Sequence, residues 1–124
     1  MSKYEFDISE KSINFSKDLL KYLYKIEKHS INGPIINQLV RSGTSIGANI
    51  HEAQSSGSRI EMRRYYRIAL KSANESRYWF ILLESLVGEN KEINALKSEV
   101  NNFRNILGKT VLKLSEAKEI AKRV

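Results

Sequence analysis

The sequence predicts an all-α protein, an antiparallel up-down-up-down four-helix bundle, on three observations. Apolar residues recur at alternating spacings of three and four along four long stretches, which is the period of an amphipathic helix. Short clusters of serine, asparagine, glycine and a single proline part these stretches, and such residues end helices and make turns. Nowhere does the strict alternation of a half-buried strand compete. The 124 residues suit one domain, residues 1–124, around one core.

The first helix is expected from about Ser9 to His29, with Phe15, Leu19, Tyr22 and Ile26 on one stripe. The segment Ser30 to Pro34 breaks it, and Pro34 suits the first turn of the next helix, where a missing N–H costs nothing. The second helix is expected from about Pro34 to Gln54, with Ile36, Leu39, Gly43, Ile46, Ile50 and Ala53 as its seam. Gly43 and Gly47 each cost a helix about 1 kcal/mol against alanine, which implies a bend or the close approach of another backbone. Ser55-Ser56-Gly57 ends this helix, and Ser58 with Glu61 reads as a capping box for the third, Arg59 to Val87. Its stripe is Met62, Tyr66, Ala69, Ala73, Ser76, Phe80, Leu83 and Val87, small in the first half and large in the second. Gly88 is a natural stop. The fourth helix, about Lys91 to Arg123, carries Ile93, Leu96, Val100, Phe103, Leu107, Thr110, Leu114, Ala117, Ala121 and Val124 on its stripe. Trp79 and Leu82 flank the third stripe, and Ile106, Val111 and Ile120 flank the fourth. This apolar width exceeds what one bundle core needs and predicts self-association.

A formal net charge of +7 and an isoelectric point near 9.7 point to an anionic partner, nucleic acid first; plain solubility is the alternative. Cysteine is absent, which excludes disulfides, thiolate chemistry and cysteine zinc sites. The first residues do not read as a signal peptide. The longest apolar run, Tyr78 to Leu83, falls far short of the ~20 residues a spanning helix needs. A cytoplasmic location away from membranes is the expectation.

Two constellations stand out. Arg59, Arg63, Arg67 and Lys71 lie four residues apart on the third helix, with Arg64 beside them. Such a row presents guanidinium groups along one side, suited to phosphate; it also fits the solvated face of a long helix. No aromatic interleaves the row, so reading of base sequence is not expected. The second constellation is polar: Arg41, Asn49 and Glu52 on or beside the seam of the second helix, and Glu75 beside that of the third. A buried arginine needs a carboxylate, so Arg41 is expected to pair with Glu75 or Glu52, the four residues forming a buried structural network. His29 and His51 do not follow a glutamate at the spacing of di-iron bundles, so no metal is expected. Nucleophile, P-loop and dinucleotide motifs are missing, and no arginine precedes either histidine closely enough for the helical ribonucleases that use such a pair. No enzymatic activity and no cofactor are expected.

Two blocks resemble a known family. Arg41-Ser42-Gly43-Thr44-Ser45-Ile46-Gly47-Ala48-Asn49-Ile50-His51-Glu52-Ala53 and Tyr66-Arg67-Ile68-Ala69-Leu70-Lys71-Ser72-Ala73-Asn74-Glu75-Ser76-Arg77-Tyr78-Trp79 are similar to the bacterial four-helix-bundle proteins encoded in intervening sequences of 23S ribosomal RNA genes. The family's arginine, asparagine and two glutamates fall on Arg41, Asn49, Glu52 and Glu75. Many members carry proline where this chain has Gly47. The resemblance implies an up-and-down bundle that assembles as a pentamer. A related branch is similar to the accessory proteins of diversity-generating retroelements, basic pentamers that bind nucleic acid and a reverse transcriptase. The resemblance assigns no activity.

The expectation is therefore a non-enzymatic oligomeric bundle that binds RNA or DNA through Arg59, Arg63, Arg64, Arg67 and Lys71. The alternative is a protein–protein interaction scaffold without nucleic-acid binding. A third reading, a hydrolase built on Glu52 and Glu75, stands behind both.

Overall fold

The computed structural model describes the backbone of residues 2–123 and the side chains of residues 2–115. Four helices follow in order: α1 Lys3–Tyr24, α2 Asn32–Ser55, α3 Arg59–Val87 and α4 Lys91–Arg123. Each packs on its neighbours in the chain, α4 returns to α1, and among the described residues no diagonal pair packs together. Paired residues run in opposite directions along these seams: Glu5 and Gln54 then Ser9 and His51 on α1 and α2, Ser42 and Ser76 then Ser45 and Ser72 on α2 and α3, Arg63 and Ser115 then Asn74 and Arg104 on α3 and α4. Tyr4 and Thr110 meet at one end of the α1–α4 seam, and Lys25 and Glu92 at the other. This is the up-down-up-down bundle that the four stripes predict.

The bounds of α3 and α4 agree with the sequence reading, whereas α1 begins six residues before and ends five residues short of it. The early start has a local cause. The Ser2 hydroxyl accepts from the Glu5 amide and the Glu5 carboxylate accepts from the Ser2 amide, a complete capping box. At Ser58 only the half in which its hydroxyl accepts from the Glu61 amide, at 3.2 Å, is recorded. The segment after α1 is held by its own side chains. Asn32, buried, donates to the Glu27 carbonyl and accepts from the His29 amide, while His29 Nδ1 accepts from the amides of Ile31 and Asn32. These bonds satisfy the backbone that a longer α1 would have used. They also start α2 at Asn32, with Pro34 inside its first turn. Gly88 closes α3 with φ +83°, a conformation that favours glycine.

The stripes form the core. Phe15, Leu19, Ile36, Leu39, Ile46, Ile50, Tyr66, Phe80, Leu83, Ile93, Val100 and Leu107 are essentially solvent-free, and Phe15 meets Phe103 edge to face. Gly47 faces the Ser12 side chain and carbonyl, at 3.2–3.4 Å from where a Cβ would sit, and Gly43 faces Leu19 still more tightly. The glycines on the α2 seam thus admit the close approach of α1. Trp79, Ile106 and Val111, expected as surplus apolar width, instead pack partly buried against this core. The apolar side chains left exposed include Ile60, Tyr78, Ile81, Leu86 and Leu112. The side chains of Ala117, Ile120 and Ala121, and all of Val124, lie outside the described residues.

Candidate nucleic-acid interface

No acidic residue lies between Glu61 and Glu75, while Arg63, Arg64, Arg67 and Lys71 all fall there. The first half of α3 is therefore a block of positive charge before any tertiary contact is considered. The structure divides the row. Successive residues four apart advance by about 40° around a helix, so Arg59, Arg63, Arg67 and Lys71 wind from the α4 side to the outer face instead of sharing one face. Arg63 is half-buried, and its Nε donates to Ser115 Oγ at 2.6 Å. Arg59, Arg64, Arg67 and Lys71 are exposed, and the Arg64 guanidinium lies 5.0 Å from the centre of the Tyr65 ring.

The adjoining helix supplies a cation that the sequence reading missed. Arg104 of α4 crosses to α3, with Nε donating to Asn74 Oδ1 at 2.7 Å and Nη1 to Asn101 Oδ1 at 3.2 Å. Its partners are neutral amides and it makes no salt bridge among the described residues, which leaves Nη2 of its donor fork for a phosphate. Among the described residues the salt bridges are Lys25–Glu92, Arg41–Glu75 and Lys97–Glu84, and none uses Arg59, Arg63, Arg64, Arg67, Lys71 or Arg104. The outermost line of α3 runs Arg67, Lys71, Asn74, Tyr78, spaced 4, 3, 4 and exposed throughout. That spacing marks one helical face. It was legible in the chain, but only as the complement of the core stripe.

The polar residues of the two matching blocks lie along the α2–α3 seam, arranged otherwise than expected. Arg41 and Glu75 pair, but at the surface, with side chains 58% and 38% exposed. Glu75 also accepts from Trp79 Nε1 at 2.8 Å, and Arg41 donates to Gln38. Asn49 turns to the carbonyl and hydroxyl of Ser45 within its own helix, and Glu52 is exposed. Glu52 stands eleven residues beyond Arg41 on α2, about 16 Å along the axis, so the two glutamates do not converge on one substrate atom. The four residues are not one buried network, because the interior of this seam belongs to serines. Ser42 meets Ser76 at 2.9 Å, both fully buried, and Ser45 meets Ser72 at 3.0 Å. A serine at a core position of each helix, so placed, was the signal for this pairing.

His51 ties α2 to α1. Its Nδ1 lies 2.8 Å from the Gly47 carbonyl and its Nε2 2.9 Å from Ser9 Oγ. A carbonyl only accepts, so Nδ1 carries the proton and Nε2 accepts from the serine. Ser9 lies within α1, where backbone amides are spent on the helix, so this pair lacks donors for an oxyanion. Among the described residues no three His, Asp or Glu side chains gather as metal ligands, and no helix is long and apolar enough to cross a membrane. Along the α1–α4 seam a groove of about 540 Å³ is lined by Lys11, Asn14, Glu99, Asn102, Phe103 and Ile106 among others. Burial, with Asp18 nearby, holds the Glu99 carboxyl above the usual glutamate range.

Comparison with known proteins agrees with this architecture. No curated protein matches the chain. A crystal structure of a protein of unknown function from the S23 ribosomal protein family of Bacteroides thetaiotaomicron superimposes with a TM-score of 0.77 at 29% identity, covering 86% of this chain and 96% of that one. The family model described as 23S rRNA-intervening sequence protein matches residues 4–109, which include both sequence blocks and all four helices in whole or part. The chain therefore belongs to the 23S rRNA-intervening sequence protein family.

Proposed function

We propose that this protein is a non-enzymatic, oligomeric nucleic-acid-binding accessory protein that holds phosphates along the α3–α4 face. One observation carries the reading: Arg59, Arg63, Arg64, Arg67, Lys71 and Arg104 make no salt bridge among the described residues. These cations lie along the first half of α3 and its neighbour α4, and an arriving polyanion would supply their countercharge and release counterions. The family's name, which ties its members to ribosomal RNA genes, is consistent with a nucleic-acid partner. Homo-oligomerisation would repeat the face around a ring, and the family resemblance makes a pentamer the expected number. Sedimentation equilibrium tests assembly against the 14.3 kDa of the single chain.

Binding is tested by titrating a labelled polynucleotide across salt concentrations. With about five phosphates held, log affinity falls with log salt at a slope of about −3 to −5. The double variant Arg67→Glu, Lys71→Glu should abolish binding with fold and mass unchanged, since both side chains are exposed. Arg63 suits this purpose less well, because its bond to Ser115 also joins α3 to α4. The second reading, a protein-interaction scaffold, is favoured by the exposed Ile81, Leu86 and Val87 on the far half of α3. A flat salt dependence, or undiminished binding by the double variant, would put it first.

A further inference from the structure

The outer line of α3 does more than carry charge. Arg67 and Lys71 are followed at the same spacing by Asn74, which anchors Arg104, and then by Tyr78. From Arg67 to Tyr78 is eleven residues, about 16 Å of helix. Tyr78 is 55% exposed and continues the line of Arg67, Lys71 and Asn74 on one helical face. It also lies four residues from Asn74, which holds the Arg104 guanidinium, about 6 Å along the axis. That is the reach between a nucleotide's phosphate and its own base.

The ring is braced. Tyr78 meets Trp79 edge to face, with centroids 5.0 Å apart and planes at 72°. Trp79 is partly buried against the core and fixed through Nε1 to Glu75, which Arg41 holds in turn. An edge-to-face contact leaves at least one face of the tyrosine uncovered by Trp79. A duplex has no use for that face, since its bases already stack on one another and it offers phosphates alone to a convex helix. A single strand has unstacked bases, and a protein that tracks its backbone with cations gains from an aromatic in line with them.

We infer that the nucleic acid taken by this surface is single-stranded, with its phosphates on Arg67, Lys71 and Arg104 and an unpaired base stacked on Tyr78. The inference rests on the proposed function and narrows it from polyanion to strand. It also gives Arg41, Glu75 and Trp79 the part of positioning residues that set the tyrosine ring.

Fluorescence anisotropy with the full chain tests this, using labelled oligothymidine and oligouridine strands and a blunt DNA duplex of equal length at one low salt concentration. Both strands should bind about tenfold more tightly than the duplex, the worth of one base–aromatic stack. Tyr78→Ala should remove that tenfold from the strands and leave the duplex unchanged, while Tyr78→Phe keeps it. Trp79 emission should change on adding strand but not duplex. Equal affinity for strand and duplex, or strand binding untouched by Tyr78→Ala, would overturn the single-strand inference and leave phosphate binding standing. Failure of the wild-type chain to bind strand or duplex would bring down both.

Discussion

The α2–α3 and α1–α4 seams join the same kinds of helix, yet they are built on opposite plans. Along α2–α3, small side chains bring the helices together and the serines hydrogen-bond across the join. This is the most extensive helix pairing in the bundle, and α1–α4 is the least. At α1–α4 the helices meet through larger residues, are tied at their ends by Tyr4–Thr110 and Lys25–Glu92, and leave grooves between. Small residues thus let two helix backbones approach more closely than large ones do, near enough for serines to hydrogen-bond across the join. The difference separates tasks: the tight seam braces the aromatic end of the α3 face through Arg41, Glu75 and Trp79, and the loose one leaves open grooves.

A leucine placed in each seam gives the sharpest contrast. Ser76 is fully buried against Ser42 of α2, and a leucine there, Ser76→Leu, should cost about 2–3 kcal/mol by overpacking. Ala95 is exposed beside a groove of about 310 Å³, and Ala95→Leu should stay within about 0.5 kcal/mol of wild type. Urea denaturation midpoints of the two variants measure the gap, and equal losses would erase the distinction between the seams. A smaller effect is expected at the edge of the tight seam. The Arg41–Glu75 pair is solvent-exposed, so Glu75→Gln should cost less than about 1 kcal/mol, and the loss should shrink in high salt. A loss of several kcal/mol would instead mark a buried ion pair, and with it a seam closed over by another subunit.

The smallest effect belongs to the loose seam. The Glu99 carboxyl is raised by burial and by Asp18, so the fold favours its neutral form. Its contribution to stability is intact below the ordinary glutamate range and is lost as pH rises through the raised value. Glu99→Gln should therefore melt slightly higher than wild type at neutral pH. That advantage should close as pH falls below the glutamate range, which thermal melts at several pH values would follow. A variant that melts lower than wild type at neutral pH would mean that the carboxylate is paired there.

Much was determined by the chain alone. Four stripes, the stops at Gly57 and Gly88 and the cap at Ser58 define α3 and α4, because helix periodicity and capping are local. The same local chemistry at Ser2 and Glu5 was readable and set the start of α1. The charged block of α3 was equally plain, since it needs only the run of residues between Glu61 and Glu75. Tertiary structure decided which of those charges remain free. Only the crossing of α3 and α4 shows Arg63 turned to Ser115 and Arg104 brought to Asn74. Only the packing of α2 on α3 places Arg41 and Glu75 at the rim and serines inside. The physical reason is that a side chain's burial and partners depend on the azimuth and spacing of a neighbouring helix. Periodicity gives the direction in which a stripe faces, but not what it will meet.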